Sequence, residues 1–238
     1  MISETLGKLR MPPDTFERHR LIADLCGAPE SVLDVGGIRG ELGLFLPESS
    51  IVTINMAGED SDAVFDGDAL PFPDDSFEVA VSLDVLEHIP GAGRQKHFSE
   101  LCRVASRKVV ICCPFGSAPH IAAERELATW YEQTTGEQHR FLEEHLETGL
   151  PSEAELNDLA EGTGMPHRLR FHGDFRRANR AFKSSTRLRA KPGPATAFRY
   201  ARLRLDPRRS LALDDESSAH ANRAFVELET VSGPGAGT

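Results

Sequence analysis

No apolar run in these 238 residues approaches the roughly eighteen needed to cross a bilayer, so no membrane span is read. The start of the sequence lacks a charged stretch followed by a hydrophobic one, so no secretory signal is read either, and a cytoplasmic location is expected. Cysteine is scarce: there are four, and no pair has zinc-ligand spacing. Cys112 and Cys113 lie in an apolar, strand-like run, where neighbours point to opposite faces, and read as small buried hydrophobes in a reducing compartment. Internal repeats, nucleic-acid motifs and a Ser/His/Asp arrangement are all missing. So is the dinucleotide fingerprint G-x-G-x-x-G, because Gly36, Ile38 and Arg39 do not supply its spacing.

What is present suits one enzyme-sized domain: 238 residues, 39% hydrophobic, can bury a substantial core. The reading is a single domain over 1–232, with 166–222 a basic insertion between the last two strands and 233–238 a disordered tail. Residues 32–40, VLDVGGIRG, form a short apolar strand that breaks into glycines after an aspartate, ahead of an apolar helical run at Leu42 to Leu46. Glycines there let the chain turn sharply and let bare backbone approach a ligand. A helix is expected over 14–26, strands near 32–35, 51–55, 62–65, 77–83 and 108–113, and a helix over 95–104. Helix then fills about 120–149, another starts at Pro151-Ser152 and ends near Gly162, and strands near 168–172 and 225–231 close the order. Alternating strands and helices predict a parallel sheet.

The glycine turn has company. Asn55 and Met56 end a second apolar run, Asp68-Ala69-Leu70-Pro71 makes a third loop, and 77–83 opens into Asp84-Val85-Leu86-Glu87-His88. Together these segments resemble the class I S-adenosylmethionine (SAM)-dependent methyltransferases, closest to the branch reading LDVGCGTG … D-x-LPF-x-D-x-SFD … LEH. The resemblance covers about 15–115, more weakly to 165. It implies a Rossmann-like α/β fold: a seven-stranded, mostly parallel sheet with an antiparallel last strand and helices on both faces. It also implies SAM as cofactor. Asp34, Gly36, Gly37 and Gly40 would cradle its methionine half, Asn55 the ribose hydroxyls, Met56 would pack on adenine, Asp68 with Ala69 would meet the adenine amino group, and Leu83 would offer backbone. Ile38 stands where the family has a glycine, and Asn55 where it has an acid.

Alignment of acceptor, methyl and sulfur does most of the work in such transfer, and a hydroxyl acceptor also needs a base or a metal. The Asn/Asp-Pro-Pro-Tyr/Phe motif of exocyclic base methylation is absent, which points to oxygen. The candidate bases are His88, His139 and His145. Asp84-x-x-Glu87-His88 is similar to the acid-x-x-Glu-His of quinone-type O-methyltransferases, where a divalent cation binds; helix capping by Asp84 is ranked ahead, and no metal is assigned. Net charge is −10, yet residues 166–210 carry fourteen Lys or Arg against Asp174 and Asp206, leaving the remainder at −22. With Phe171, Phe175, Phe182, Phe198 and Tyr200 interleaved, this segment either grips an anionic acceptor or docks on the acidic body, and docking is ranked ahead. The expected function is methylation of a small polar molecule, at oxygen of a sugar or glycan intermediate. A fold-retaining binding protein and an RNA methyltransferase are the alternatives.

Overall fold

The computed structural model describes residues 11–229 apart from 57, 59, 68, 192, 196–197 and 199–210. Helix α1 (Pro13–Cys26) opens on Pro13, whose missing N–H costs nothing in a first turn, and ends at Gly27 with φ +74°. Then come β1 (Ser31–Val35), a 3-10 turn (Leu42–Leu44), β2 (Ser50–Asn55), β3 (Ala63–Val64) and β4 (Phe77–Leu83). A second 3-10 turn (Leu86–His88) leads to α2 (Gly91–Val104), β5 (Ala105–Pro114), α3 (Ala118–Thr135), α4 (Arg140–Thr148) and α5 (Glu153–Glu161). The chain continues through β6 (His167–His172), α6 (Phe175–Ala190) and β7 (Arg223–Glu229).

The seven strands form one sheet in the order β3-β2-β1-β4-β5-β7-β6, and β7 runs antiparallel to both β5 and β6. The expected Rossmann-like α/β fold is therefore observed. Its central strands are apolar on both faces, as a sheet covered on both sides requires. Leu33, Ala80, Ile111 and Cys113 pack with Phe98 and Leu101 of α2 and Leu156 of α5. Val32, Val79, Val81, Val110 and Cys112 face the other way, onto Leu21 and Ile22 of α1. Cys112 and Cys113 thus do point to opposite faces, both fully buried and unpaired.

Register brings Val35 beside Ile54 of β2 and Ser82 of β4. The strand order reverses between β1 and β4, so the loops leaving their carboxyl ends diverge and open the crevice where such sheets bind ligands.

Three expectations change. The apolar run 42–46 makes one 3-10 turn rather than a helix, with Leu42 and Leu46 buried and Phe45 packed partly buried against the same core. The helical stretch 120–149 is two helices, broken where Gly136 takes φ +81°. The strand expected at 62–65 is only two residues long. The proposed tail at 233–238 lies outside the described residues.

Candidate functional site

The glycine turn sits at the crevice. Gly36 has φ +82°, and a Cβ there would lie 2.2 Å from Val85 Cγ2; one on Gly37 would lie 2.0 Å from Asp34 Oδ2. The turn is therefore folded tightly onto β1 and the loop after β4, which only glycine permits. Gly40, at φ +84°, faces open space. Asn55 Nδ2 donates to the carbonyls of Gly36 at 3.3 Å and Gly37 at 3.5 Å, while its Oδ1 accepts from Met56 N at 2.8 Å. Its amide thus ties β2 to the turn. Two large apolar side chains flank this point in the open, Ile38 at 50% and Met56 at 62% exposure. Apolar surface left exposed at a crevice is what a purine-sized face would cover. Ala69 is exposed beside it, and the adjoining loop is held by Glu100, which accepts from Leu70 N at 2.8 Å, and by Arg103, which donates to the carbonyls of Leu70 and Phe72. Leu83 is buried at the end of β4. Asp68 lies outside the described residues. A 480 Å³ cleft lined by Glu30, Asp75 and Glu78 lies at the amino ends of β1 and β4, the opposite end of the sheet from this crevice.

Asp84 neither caps a helix nor joins a metal cluster. It takes φ +54°, and the 3-10 turn after it starts without a side-chain cap. Its carboxylate is bound by Arg223 of β7 and lies 3.2 Å from Arg18 Nε of α1. Burial alone would raise its pKa, but the two guanidiniums outweigh it and hold the carboxyl below its ordinary value. Nearby, Asp34 is pushed up to about 7, first by burial and then by Glu41. Buried His19, whose Nε2 is 3.6 Å from Glu41 Oε2, is lowered to about 4, mainly by burial. Arg18, Glu41 and Arg223 carry no motif in the sequence; only the closing of α1 and β7 over the end of β4 brings them together.

Beyond Asp84 the three candidate histidines gather. In α4, Phe141, His145 and Thr148 recur at helical spacing and share one face. That face docks on the Leu86–His88 turn, with Thr148 Oγ1 donating to the Glu87 carbonyl. The rings of His88 and His145 lie 5.1 Å apart, and Phe141 lies 5.5 Å from His88 and 6.0 Å from His139. His139 also packs edge-on against Tyr131 at 4.8 Å and Phe182 at 5.2 Å. His145 Nδ1 bonds Glu124 of α3 at 3.2 Å, and its Nε2 is 4.0 Å from Glu87 Oε1. Glu144 Oε2 is 2.9 Å from His88 Nδ1, within ion-pair range although outside hydrogen-bond geometry. Burial, then His145, lowers the pKa of both His88 and His139. Burial, then Asp84, holds that of Glu87 well above the usual carboxylate range. A lowered pKa favours the neutral imidazole, the form that can accept a proton. Glu124 was not foreseen, since nothing local marks a carboxylate twenty-one residues before its histidine.

At least five of the described cations in the basic segment have partners within the chain, and Arg199, Arg202, Arg204, Arg208 and Arg209 lie outside the described residues. Arg170 binds Glu227, Arg168 lies 2.7 Å from Asp215, and Arg176 pairs with Asp174, the residue capping α6. Lys183 and Arg187 lie over the Trp130 ring at 5.3 and 5.2 Å. Phe171 and Phe175 are buried and Phe182 is partly so, whereas Phe198 is exposed and Tyr200 and Asp206 lie outside the described residues. No helix among the described residues is long and apolar enough to cross a membrane.

The family model described as a methyltransferase domain matches residues 47–113, from β2 through β5. No curated protein matches the sequence. Among solved structures, a SAM-dependent methyltransferase from Archaeoglobus fulgidus superposes with TM-score 0.55 at 12% identity, over 95% of this chain and 94% of that one. The YcgJ protein of Bacillus subtilis gives 0.52 at 14%, over 91% and 100%. Geranyl diphosphate C-methyltransferase from Streptomyces coelicolor, solved with Mg2+, geranyl diphosphate and S-adenosyl-L-homocysteine, gives 0.51 at 12%, over 90% and 77%. At such identities the shared property is the fold.

Proposed function

We propose that this chain, a class I SAM-dependent methyltransferase by its fold and its methyltransferase-domain match, methylates an oxygen of a small polar acceptor, of the sugar or glycan-intermediate class. The observation that carries the reading is the gathering of His88, His139 and His145 around half-exposed Phe141, beyond the same strand end, β4, that meets the glycine turn. The glycine turn, Asn55, Met56 and Ile38 suit the cofactor: a backbone cradle beside an exposed apolar wall. Bound there, SAM supplies an electrophilic methyl on a sulfonium. Asp34, Gly36, Gly37 and Gly40 hold the methionine half, Asn55 keeps the turn closed beside the ribose, and Ala69 and Leu83 border the nucleoside. Phe141 offers a flat apolar face to the carbon face of an acceptor ring, and the imidazoles take the hydroxyl proton as oxygen meets the methyl.

Arg168, Arg170, Arg176 and Arg187 are engaged with Asp215, Glu227, Asp174 and Trp130, which supports self-docking over RNA binding. A second reading, a binding protein without turnover, is favoured by Asn55, whose amide is spent on Gly36 and Gly37. One experiment separates the two. The protein is incubated with methyl-labelled SAM and small-molecule fractions, and products are read by mass spectrometry. O-methylated product, with kcat reduced about 10²–10⁴-fold in His145→Ala at unchanged SAM affinity, is expected. Label on RNA or on nitrogen contradicts the proposal; SAM binding with no product supports the second reading.

A further inference from the structure

We propose that Glu87, His88 and His145 form a binding site for a divalent transition-metal cation. Each offers one donor atom, and the three atoms lie within 4.8 Å of one another. Asp84, the residue that sequence spacing would enlist, is bound to Arg18 and Arg223 instead, and His145 enters from α4. The independent observation is Glu87 itself. Its side chain is 1% exposed, and Oε2 is buried with no hydrogen-bond partner among the described residues. A buried carboxylate oxygen with nothing to accept from is costly, and a cation removes that cost.

The spacing suits ligation better than hydrogen bonding. Glu87 Oε1 and His145 Nε2 are 4.0 Å apart, too far for a hydrogen bond. Two donors each about 2.0–2.2 Å from one ion lie roughly 3.4–4.2 Å apart between tetrahedral and trans geometry. His145 is oriented for this by its other nitrogen: Nδ1 bonds Glu124, whose side chain is 8% exposed, which fixes Nδ1–H and turns the Nε2 lone pair toward Glu87. A carboxylate behind the imidazole is the usual support of a metal-bound histidine. Glu144 Oε2 lies 2.9 Å from His88 Nδ1, a second carboxylate beside the ligands, without hydrogen-bond geometry. Two imidazoles with one carboxylate select zinc, cobalt, nickel or iron(II) over magnesium and calcium, which prefer all-oxygen shells. Glu124 and Glu144 stand around the ion position, with Arg140 2.6 Å from Glu144, and a bound cation would draw Glu87 into its carboxylate form.

The site stands without methyl transfer, but its use rests on that reading: an acceptor hydroxyl on the ion would lose its proton to water, replacing the imidazoles as bases. The test uses Co2+ as probe on the chelator-stripped full chain. One Co2+ per chain with visible ligand-field absorption is expected, with affinity reduced at least about 10-fold in Glu87→Gln and in His145→Ala, and unchanged in His167→Ala. Glu87→Gln keeps the size of a side chain that lacks a partner on one oxygen, so its melting temperature without metal should not fall, and it decides the matter if His145→Ala does not fold. No binding up to about 100 µM, or binding indifferent to Glu87→Gln, overturns the site. SAM affinity is measured on the stripped protein: cobalt without SAM binding sinks the methyl-transfer reading alone, and SAM without cobalt sinks the ion site alone.

Discussion

The Arg18–Asp84–Arg223 triad joins α1, the end of β4 and β7, and should contribute stability out of proportion to its size. Asp84→Asn leaves two guanidiniums facing each other, and Arg223 has only 11% of its side chain exposed. Removing one partner of a buried pair costs about 3–5 kcal/mol, because the other charge stays buried without compensation. A quarter of the Asp84 side chain remains exposed, at 24%, so about 3 kcal/mol is expected. At roughly 2–4 °C per kcal/mol for a domain of this size, Tm should fall by about 6–12 °C. The double variant Asp84→Leu/Arg223→Met should lose less than either single change, since no lone charge is left. The pH dependence follows from the sign of the shift. The folded Asp84 pKa is depressed, so its stabilisation is complete above the ordinary aspartate range and is lost as pH falls through the folded value. Urea unfolding of the wild type, Asp84→Asn, Asp84→Leu, Arg223→Met and the double variant at pH 7 and in acid measures all of this. Additive losses, or a single-variant cost under about 1 kcal/mol, would refute the reasoning.

Three further outcomes are expected. Asn55→Ala should weaken SAM binding by about 1–3 kcal/mol in calorimetry, and Asn55→Asp should do no better, because a carboxylate cannot donate to the Gly36 and Gly37 carbonyls. Asp34 is raised to about 7, so the native state holds its proton where the unfolded chain has lost it; stability should decline from about pH 4 to 7, and Asp34→Asn should flatten that decline, gaining up to about 4 kcal/mol at pH 8. Lys183→Ala/Arg187→Ala should cost about 1–2 kcal/mol in urea unfolding through the lost Trp130 contacts, with acceptor KM unchanged.

The central strands were legible because they are apolar runs with turn residues at their ends: 77–83 and the glycine turn stand where periodicity puts them. Short elements were not. Leu42 to Leu46 has helical spacing, yet the packing of Leu42, Phe45 and Leu46 onto the core settles a single 3-10 turn. Side-chain partners were least legible of all. Asp84 precedes a turn and so resembles a cap, but two arginines 66 residues before and 139 after it claim the carboxylate, and no local pattern encodes that. The histidines stand out by type and place, while the carboxylates beside them, Glu124 and Glu144, follow only from α3 and α4 folding onto the turn after β4.

Binding of the cofactor is the most direct test. Titrated into the purified protein, SAM and S-adenosylhomocysteine should each raise the melting temperature by mass action, NAD should not, and Gly36→Val should abolish the response, since a side chain there collides with Val85 and opens the turn. A melting temperature indifferent to both ligands at millimolar concentration would contradict the account.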